Sequence, residues 1–591
     1  MNRHIASVKQ LLFWNWKNLL LFAILYALFG LLFLYPLLRS ILLATIQEAH
    51  LQYLTAQNLY TWISAPTTIP LCLLTAILLG NYIMIEFAVL ITHFDFVRRG
   101  EKIGFFNMVG SGIKEASRIF WPANWLFVPL ALVLFPLTSF PLLTDLTVNL
   151  RIPEFIIDFL REKPLLYLFY LMVLLAIHLI VFYLFFSLCF FTLEKLNFTH
   201  SCKRSIQLIQ GRLFKIFLSY VWWMVQVLFL VLLVITALLL LFVIRVKMFE
   251  SDPVTAFLDD FMVWKQISFL LFSIFTLVGT FSFMCYTYFQ LTNKWKITER
   301  KNKKIKWASF TFSAIQVLVI IFLTGMYLDY RNGAYFFYDR PQLHITAHRA
   351  GAALAPENTL AALNQAIEAK ATMAEIDVQQ TKDGKLIVMH DSDFKRVAKV
   401  PKKVWTVSAE EAQTFEVGSS FSKKFKGEKI PLLEEMIKEA DGRIKLMIEL
   451  KMNGHDKQLV KRVLQVIQKN NFTDQCIVAS MDARLLQQVK TMDPTIKTAY
   501  ITAVAYGNLH LMKNVDVFSI EASFVNSDLV ASLQSTGKEV FVWTVNEKDA
   551  INRTITMPVN GLITDNPYLA AFYYQLNILH PFAKDIIQLF L

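Results

Sequence analysis

Residues 374–391 read AEIDVQQTKDGKLIVMHD, and the first five of them decide the fold. Ala374, Ile376 and Val378 alternate with Glu375 and Asp377, which is the period of a β-strand. Both carboxylates therefore point to one face and the apolar side chains to the other. Two hard oxygen donors on one face, with His348 and His390 arriving from loops on either side, suit metal-assisted attack on a phosphate ester. A solvated strand face can carry the same E-x-D pair, so the reading turns on its neighbours.

Working outward, residues 443–451 read RIKLMIELK, again strand-like, with Glu449 and Lys451 two apart on one face. Glu449 supplies a third carboxylate and Lys451 a cation beside it. Short apolar runs then recur at His344–His348, Met373–Gln379, Ile444–Leu450, Ile477–Ser480, Lys497–Ile501, Val515–Ile520, Glu539–Val545 and Gly561–Thr564. Helical runs such as Thr359–Ala369, Asp456–Lys469, Ala483–Thr491 and Ser527–Ser535 separate them. This alternation predicts an α/β domain over 343–591, a (β/α)8 TIM barrel, with a doubly wound sheet as the alternative. The stretch at about 382–440 exceeds an ordinary crossover and is expected to be an insertion. It carries a hairpin at Lys385–Met389 and the lysines Lys423, Lys424, Lys426 and Lys429, which read as a solvated face.

A set of ordered pieces resembles the glycerophosphodiester phosphodiesterases. They are His348-Arg349, Pro356-Glu357-Asn358-Thr359, Glu375-x-Asp377, His390-Asp391, Glu449-Leu450-Lys451, Ser480-x-Asp482, Trp543-Thr544-Val545-Asn546 and Thr564-Asp565-Asn566-Pro567. In one departure, Ala350 stands where the family usually has glycine, and Gly351 follows. The resemblance favours the barrel. It implies metal-dependent hydrolysis of a glycerophosphodiester to glycerol 3-phosphate and an alcohol.

The resemblance also implies roles. Glu375, Asp377 and Glu449 would hold a divalent cation, and all-carboxylate ligation favours Ca²⁺ or Mg²⁺ over Zn²⁺. Arg349 and Lys451 would clamp the phosphate oxygens, and Trp543 would line the glycerol or alcohol pocket. His348 is expected as base and His390 as acid. Glu357 and Asn358 are expected behind the site in supporting roles, with helix capping as their competitor. Asp565-Asn566-Pro567 is expected to cap the last helix, and His344 to lie below the mouth.

The first half of the chain has another character. Of 591 residues, 55% are hydrophobic and 51 are phenylalanine, and the apolar runs concentrate before residue 330. Seven runs are long enough to cross the bilayer, which takes about 20 residues each. They are Leu19–Leu38, Ile69–Thr92, Trp121–Leu143, Leu165–Phe191, Ile216–Val243, Ile267–Leu291 and Ala308–Tyr327. Residues 1–330 are thus expected to form an all-α polytopic membrane domain, joined by a linker at 331–342. The net charge of +13 clusters between spans, which points to a membrane and not to nucleic acid.

Arg98, Arg99, Lys102, Lys114 and Arg118 fall in one inter-span loop, and Lys195, Lys203, Arg204, Arg212 and Lys215 in another. The positive-inside bias puts those loops and the N-terminus in the cytoplasm, and an odd span count puts the barrel outside the cell membrane. Arg98–Phe120 and His200–Phe214 are amphipathic and expected on the inner leaflet. Glu86 lies within the second span and is expected to face the bundle. The five cysteines leave only Cys476 after residue 330, so the barrel has no internal disulfide. Two other readings compete with the hydrolase: cleavage of intact lipid or of a glycerophosphate polymer, and a non-catalytic binding module on a transporter or receptor. The sequence does not speak to oligomeric state.

Overall fold

The computed structural model describes residues 16–101, 103–134, 154–161, 163–249, 253–295 and 343–578. In chain order its main apolar-half helices are α1 (Trp16–Glu48), α2 (Thr68–Arg99), the short α3 (Glu154–Arg161), α4 (Pro164–Glu194), α5 (Leu213–Arg245) and α6 (Leu270–Leu291). All but α3 are long and apolar enough to cross a membrane, five such helices among the described residues. They coincide with the first, second, fourth, fifth and sixth expected runs.

α1 runs further than expected because it accommodates Pro36. A π turn at Gly30–Leu34 widens the helix just before the proline, which has no N–H to donate. The third expected run is described only to residue 134. It opens with a 3-10 turn at Pro122–Asn124 and becomes α-helical only over Phe127–Val133. Its remainder, the run Ala308–Tyr327, the linker 331–342 and the chain before 16 and after 578 lie outside the described residues.

The two amphipathic segments do not simply rest on a leaflet. Helix Phe105–Ala116 folds back on α2, with Gly112 so close that an added Cβ would meet the Val89 backbone at 2.7 Å. Helix Phe198–Ile209 is also held by protein: Ser205 Oγ accepts from the Phe186 amide at 3.1 Å and donates to the Tyr183 carbonyl at 2.7 Å. Glu86 is buried in the bundle. The C-terminal ends of α2, α4 and α6 meet at one end of the bundle, where Arg98, Arg118 and Lys294 gather. There Arg98 donates to the Lys294 carbonyl at 2.7 Å, Arg118 to the Phe191 carbonyl at 2.6 Å, and Lys294 to Glu194 at 2.6 Å.

The barrel strands are β1 (His344–Ala347), β2 (Met373–Gln380), β3 (Lys445–Leu450), β4 (Cys476–Ser480), β5 (Lys497–Thr502), β6 (Val517–Glu521), β7 (Glu539–Trp543) and β8 (Gly561–Thr564). Each pairs in parallel with the next, and β8 closes on β1. All eight match expected runs to within a few residues. Met373, Met447, Ile477, Ala499, Val517, Phe541 and Ile563 fill the interior, while Ala374, Ile376 and Val378 face the surrounding helices. The segment between β2 and β3 holds Leu386–Val388 antiparallel to β2 and builds its own small core around Ile387, Phe394, Val404 and Ile430. Its lysines Lys423, Lys424, Lys426 and Lys429 are all exposed.

The two halves touch. Tyr53–Thr55, in the loop between α1 and α2, pairs antiparallel with Ala505–Gly507, just beyond β5. Nearby, Gln57 donates to Asp482 at 3.2 Å, Arg39 lies 3.5 Å from Asp528, and Arg161 of α3 lies 3.2 Å from Glu547. Every barrel residue in these bridges follows the C-terminal end of a strand. The barrel's mouth therefore faces the apolar half, at the end opposite the gathered basic residues.

Candidate active site

The floor of the mouth is apolar and its rim is charged, because β2 carries Met373, Glu375, Asp377 and Gln379 along one face. β2 and β3 are in register with Asp377 opposite Glu449. The third acid, Glu375, lies one step deeper on the same face. Glu375, Asp377 and Glu449 each offer an oxygen within 4.8 Å of the others, and all three are buried. Lys451 answers part of this charge, with Nζ 2.8 Å from Glu449 and 3.3 Å from Asp377. The Arg349 amide donates to Glu375 Oε2 at 2.9 Å, but Glu375 Oε1 is buried with no hydrogen-bond partner. A buried orphan carboxylate oxygen beside two further carboxylates fits a hard divalent cation.

Burial pushes the Glu375 carboxyl up to about 8, and the neighbouring Asp377 charge adds to this. Burial also raises Glu449, against the opposing pull of Lys451. Asp377 goes the other way: burial would raise it, but Lys451, His390, Arg349 and the Asn358 amide hold it well below the usual carboxylate range. One acid of the cluster is thus shifted toward its neutral form and another toward its charged form, as expected where like charges crowd.

Asn358 explains part of that asymmetry. It sits at φ +58° and bonds Asp377 twice, donating to Oδ2 at 2.8 Å and accepting from the Asp377 amide at 3.1 Å. It is therefore a brace and not a helix cap; Thr359 caps that helix. Glu357 accepts from Arg349 at 3.1 Å and takes a two-pronged bond from Arg396, both at 2.6 Å. Arg349 and Ala350 precede Gly351 in a run of positive φ (48°, 65° and 108°). Ala350 thus occupies a left-handed position that glycine fills more easily.

Each histidine leans on a carboxylate. His348 Nδ1 donates to Asp565 at 2.6 Å, and His390 Nδ1 to Asp391 at 2.9 Å. In both rings Nδ1 is thereby engaged, and Nε2 is the nitrogen not held by that carboxylate. Burial alone would lower the His348 pKa, but Asp565 more than offsets it and the net shift is upward. Asp565 is clamped in turn by Asn546, which donates to its carboxylate at 2.5 Å and accepts from its amide at 2.9 Å. The expected capping of the last helix is carried by Asn566, whose side chain accepts from the Leu569 amide at 3.1 Å.

Sequence reasoning also missed Arg396 and Gln379. Arg396 comes from the inserted segment and bridges Asp391 and Glu357. Gln379 donates to the carbonyls of Met389, His390 and Asp391 at 3.0, 3.1 and 2.7 Å, pinning the His390 loop. Its period-two spacing from Glu375 and Asp377 was the available signal.

The expected site residues His348, Arg349, Glu357, Glu375, Asp377, His390, Glu449, Lys451 and Trp543 all line one cleft of about 890 Å³. Asn358 lies behind it. Trp543 donates its indole N–H to the Ser519 carbonyl at 3.0 Å and forms part of the wall. His344 lies at the opposite end with Lys445, Lys497 and Glu539, as expected. Ile156, Phe159 and Lys163, from the apolar half, also line the cleft.

Residues 348–569 match the glycerophosphoryl diester phosphodiesterase family, and residues 5–328 match the membrane domain of glycerophosphoryl diester phosphodiesterase. Over 233 residues the chain is 35% identical to YhdW of Bacillus subtilis, named as a candidate glycerophosphodiester phosphodiesterase; this covers 38% of the chain and 95% of that protein. A glycerophosphodiester phosphodiesterase of Caldanaerobacter subterraneus is 32% identical, over 38% of this chain and 94% of its own. Among solved structures, an Oleispira antarctica phosphodiesterase in complex with the product sn-glycerol-3-phosphate is 22% identical, covering 40% of this chain and 96% of that one, with a TM-score of 0.37.

Proposed function

The chain belongs to the glycerophosphoryl diester phosphodiesterase family and is a multi-pass membrane enzyme that hydrolyses glycerophosphodiesters; from that premise we propose that it releases glycerol 3-phosphate and an alcohol, with a divalent cation, on the outer side of the membrane. The observation that carries the metal requirement is the buried, unpartnered Oε1 of Glu375 beside Asp377 and Glu449. A divalent cation held by those three, Ca²⁺ or Mg²⁺ by its all-oxygen donors, would neutralise phosphate charge and acidify a hydroxyl beside it.

The protein's own groups do the rest. Arg349 and Lys451 bind the non-bridging phosphate oxygens. His348 Nε2, its ring fixed by Asp565, takes the proton from the attacking hydroxyl, either water or the glycerol 2-hydroxyl. His390, fixed by Asp391 and by the Gln379 clamp on its loop, returns a proton to the leaving alkoxide. Trp543 forms a flat wall against the glycerol or alcohol.

The outward location has support that does not depend on counting spans. Arg98, Arg118 and Lys294 gather at one end of the bundle, and the barrel bridges to loops at the other. Cytoplasmic loops are the ones rich in lysine and arginine. The test of the reaction is release of glycerol 3-phosphate from glycerophosphocholine with and without chelator, comparing wild type with Glu375→Ala. Loss of product in both the chelated and the variant samples is expected. Full activity in either would remove the metal from the reaction.

A further inference from the structure

The cleft is not closed by the barrel alone. Ile156 and Phe159 of α3, with Lys163 just beyond it, lie over a mouth whose other walls are barrel residues. Ile156 and Phe159 are apolar and exposed, at 38% and 49% of their surface. Lys163 sits with its ammonium 4.0 Å from the Phe159 ring centroid, so cation and aromatic form one unit at the rim. The helix is tied down by Arg161 at Glu547, next to the Trp543–Asn546 wall.

The chain just after Lys163 is equally telling. Pro164 opens α4, a membrane-length helix with none of its most apolar window buried inside the protein. Its first 20 residues, Pro164–Tyr183, include no buried side chain and face lipid. A side chain lining the active-site cleft is thus immediately followed by the start of a lipid-facing span. The strand pairing at Tyr53–Thr55 and the Arg39 and Gln57 bridges hold the barrel in the same attitude, mouth toward the apolar half. A site for freely dissolved, fully polar diesters has no use for an apolar roof at the membrane surface.

Resting on the hydrolase reading above, we infer that the preferred substrate is a bilayer-borne glycerophosphodiester whose hydrocarbon chain stays in the outer leaflet, its stem passing along Ile156 and Phe159 while the phosphate reaches Arg349 and Lys451. Two sources share this chemistry. The chain can sit on the glycerol, as in a lysophospholipid, or on the alcohol, as in a glycerophosphorylated glycolipid. In either case one water is consumed. The bond from phosphorus to the alcohol oxygen breaks, a bond from phosphorus to the water oxygen replaces it, and the alcohol leaves with a proton. The products are lysophosphatidate and a free alcohol in the first case, and glycerol 3-phosphate and the glycolipid in the second.

The test uses the full chain in lipid nanodiscs with divalent cation. Turnover is compared for glycerophosphocholine, 1-acyl-lysophosphatidylcholine and a glycerophosphorylated diacylglycerol glycolipid. The expected result is a kcat/KM at least about tenfold higher for one or both lipids than for glycerophosphocholine, since losing an apolar contact of this size is worth about tenfold or more. In Phe159→Ser and Ile156→Ser the lipid-to-soluble ratio should fall by about the same factor. Activity on glycerophosphocholine in the same samples reports whether the variants are folded. Wild type that prefers glycerophosphocholine, or a ratio unmoved in folded variants, overturns the inference and leaves the hydrolase intact. Wild type that cleaves none of the three overturns the hydrolase reading, and this inference with it.

Discussion

The Nδ1 of His348 donates to the Asp565 carboxylate at 2.6 Å, joining the residue after the first barrel strand to the residue after the last. The closure of β8 on β1 makes this contact. Its effect is on basicity: burial pulls the imidazole pKa down, and Asp565 lifts it above the ordinary value. If neutral His348 is the base, the rate is lost as pH falls through that raised value. Asp565→Asn removes the lifting charge, so the acid limb of the pH profile should move to lower pH. The rate at pH 8 should drop by about 10² to 10⁴. An acid limb that stays in place would show that Asp565 does not act on His348.

Gln379 offers a cleaner test of the other histidine, because its side-chain amide donates to three main-chain carbonyls of the His390 loop. Gln379→Ala should lower kcat about tenfold or more through misplacement of His390, with KM for glycerophosphocholine little changed. Steady-state kinetics separates the two terms. A rise in KM alone would count against this positioning role.

Asn358→Ala loses two bonds to Asp377 and replaces asparagine, which tolerates the left-handed region, with alanine, which does not, at φ +58°. Each buried bond lost costs about 1–3 kcal/mol, and the left-handed conformation about 1–2 kcal/mol more. Asn358→Gly should recover only the backbone part. Chemical denaturation followed by barrel tryptophan fluorescence should rank the proteins wild type, Gly, Ala; equal stability of the two variants would remove the backbone contribution.

A cation bound at Glu375, Asp377 and Glu449 should stabilise the fold by mass action. At a concentration a hundred times Kd the gain is about 2.7 kcal/mol. Thermal melting should therefore shift upward with Ca²⁺ or Mg²⁺ and return with chelator. The shift should vanish in Glu375→Gln, which keeps the shape but not the charge. A full shift in that variant would move the cation elsewhere.

Location has its own measurement. Lys424 is exposed on the inserted segment, far from the membrane spans in sequence. Lys424→Cys should react with a membrane-impermeant maleimide on intact cells. Labelling only after lysis would put the barrel in the cytoplasm.

Much of this was legible beforehand. The eight strands could be read because a parallel barrel buries both faces of each strand, leaving short apolar runs between polar helices. The acids of β2 and β3 followed from the two-residue period. The bond of Asp565 to His348 was missed because an Asp-Asn-Pro sequence reads as a capping pattern, and no local rule says that β8 will land beside β1. Arg396 was invisible for a similar reason: it reaches Glu357 across 39 residues, through the fold of the insertion. The 3-10 start of the third apolar run shows the limit of hydropathy, which measures greasiness but not whether Pro122 and Pro129 let a helix form.

The small sheet between Tyr53–Thr55 and Ala505–Gly507 joins the two halves by main chain. Amide and carbonyl groups are the same whatever side chains they carry, so this clasp tolerates drift in either partner. Its one exacting position is Gly507, at φ +84° with an added Cβ only 3.1 Å from the Gln52 carbonyl. A chain built this way can renew its hydrolase surface and its lipid-facing helices independently, while the angle at which one presents itself to the other is inherited unchanged.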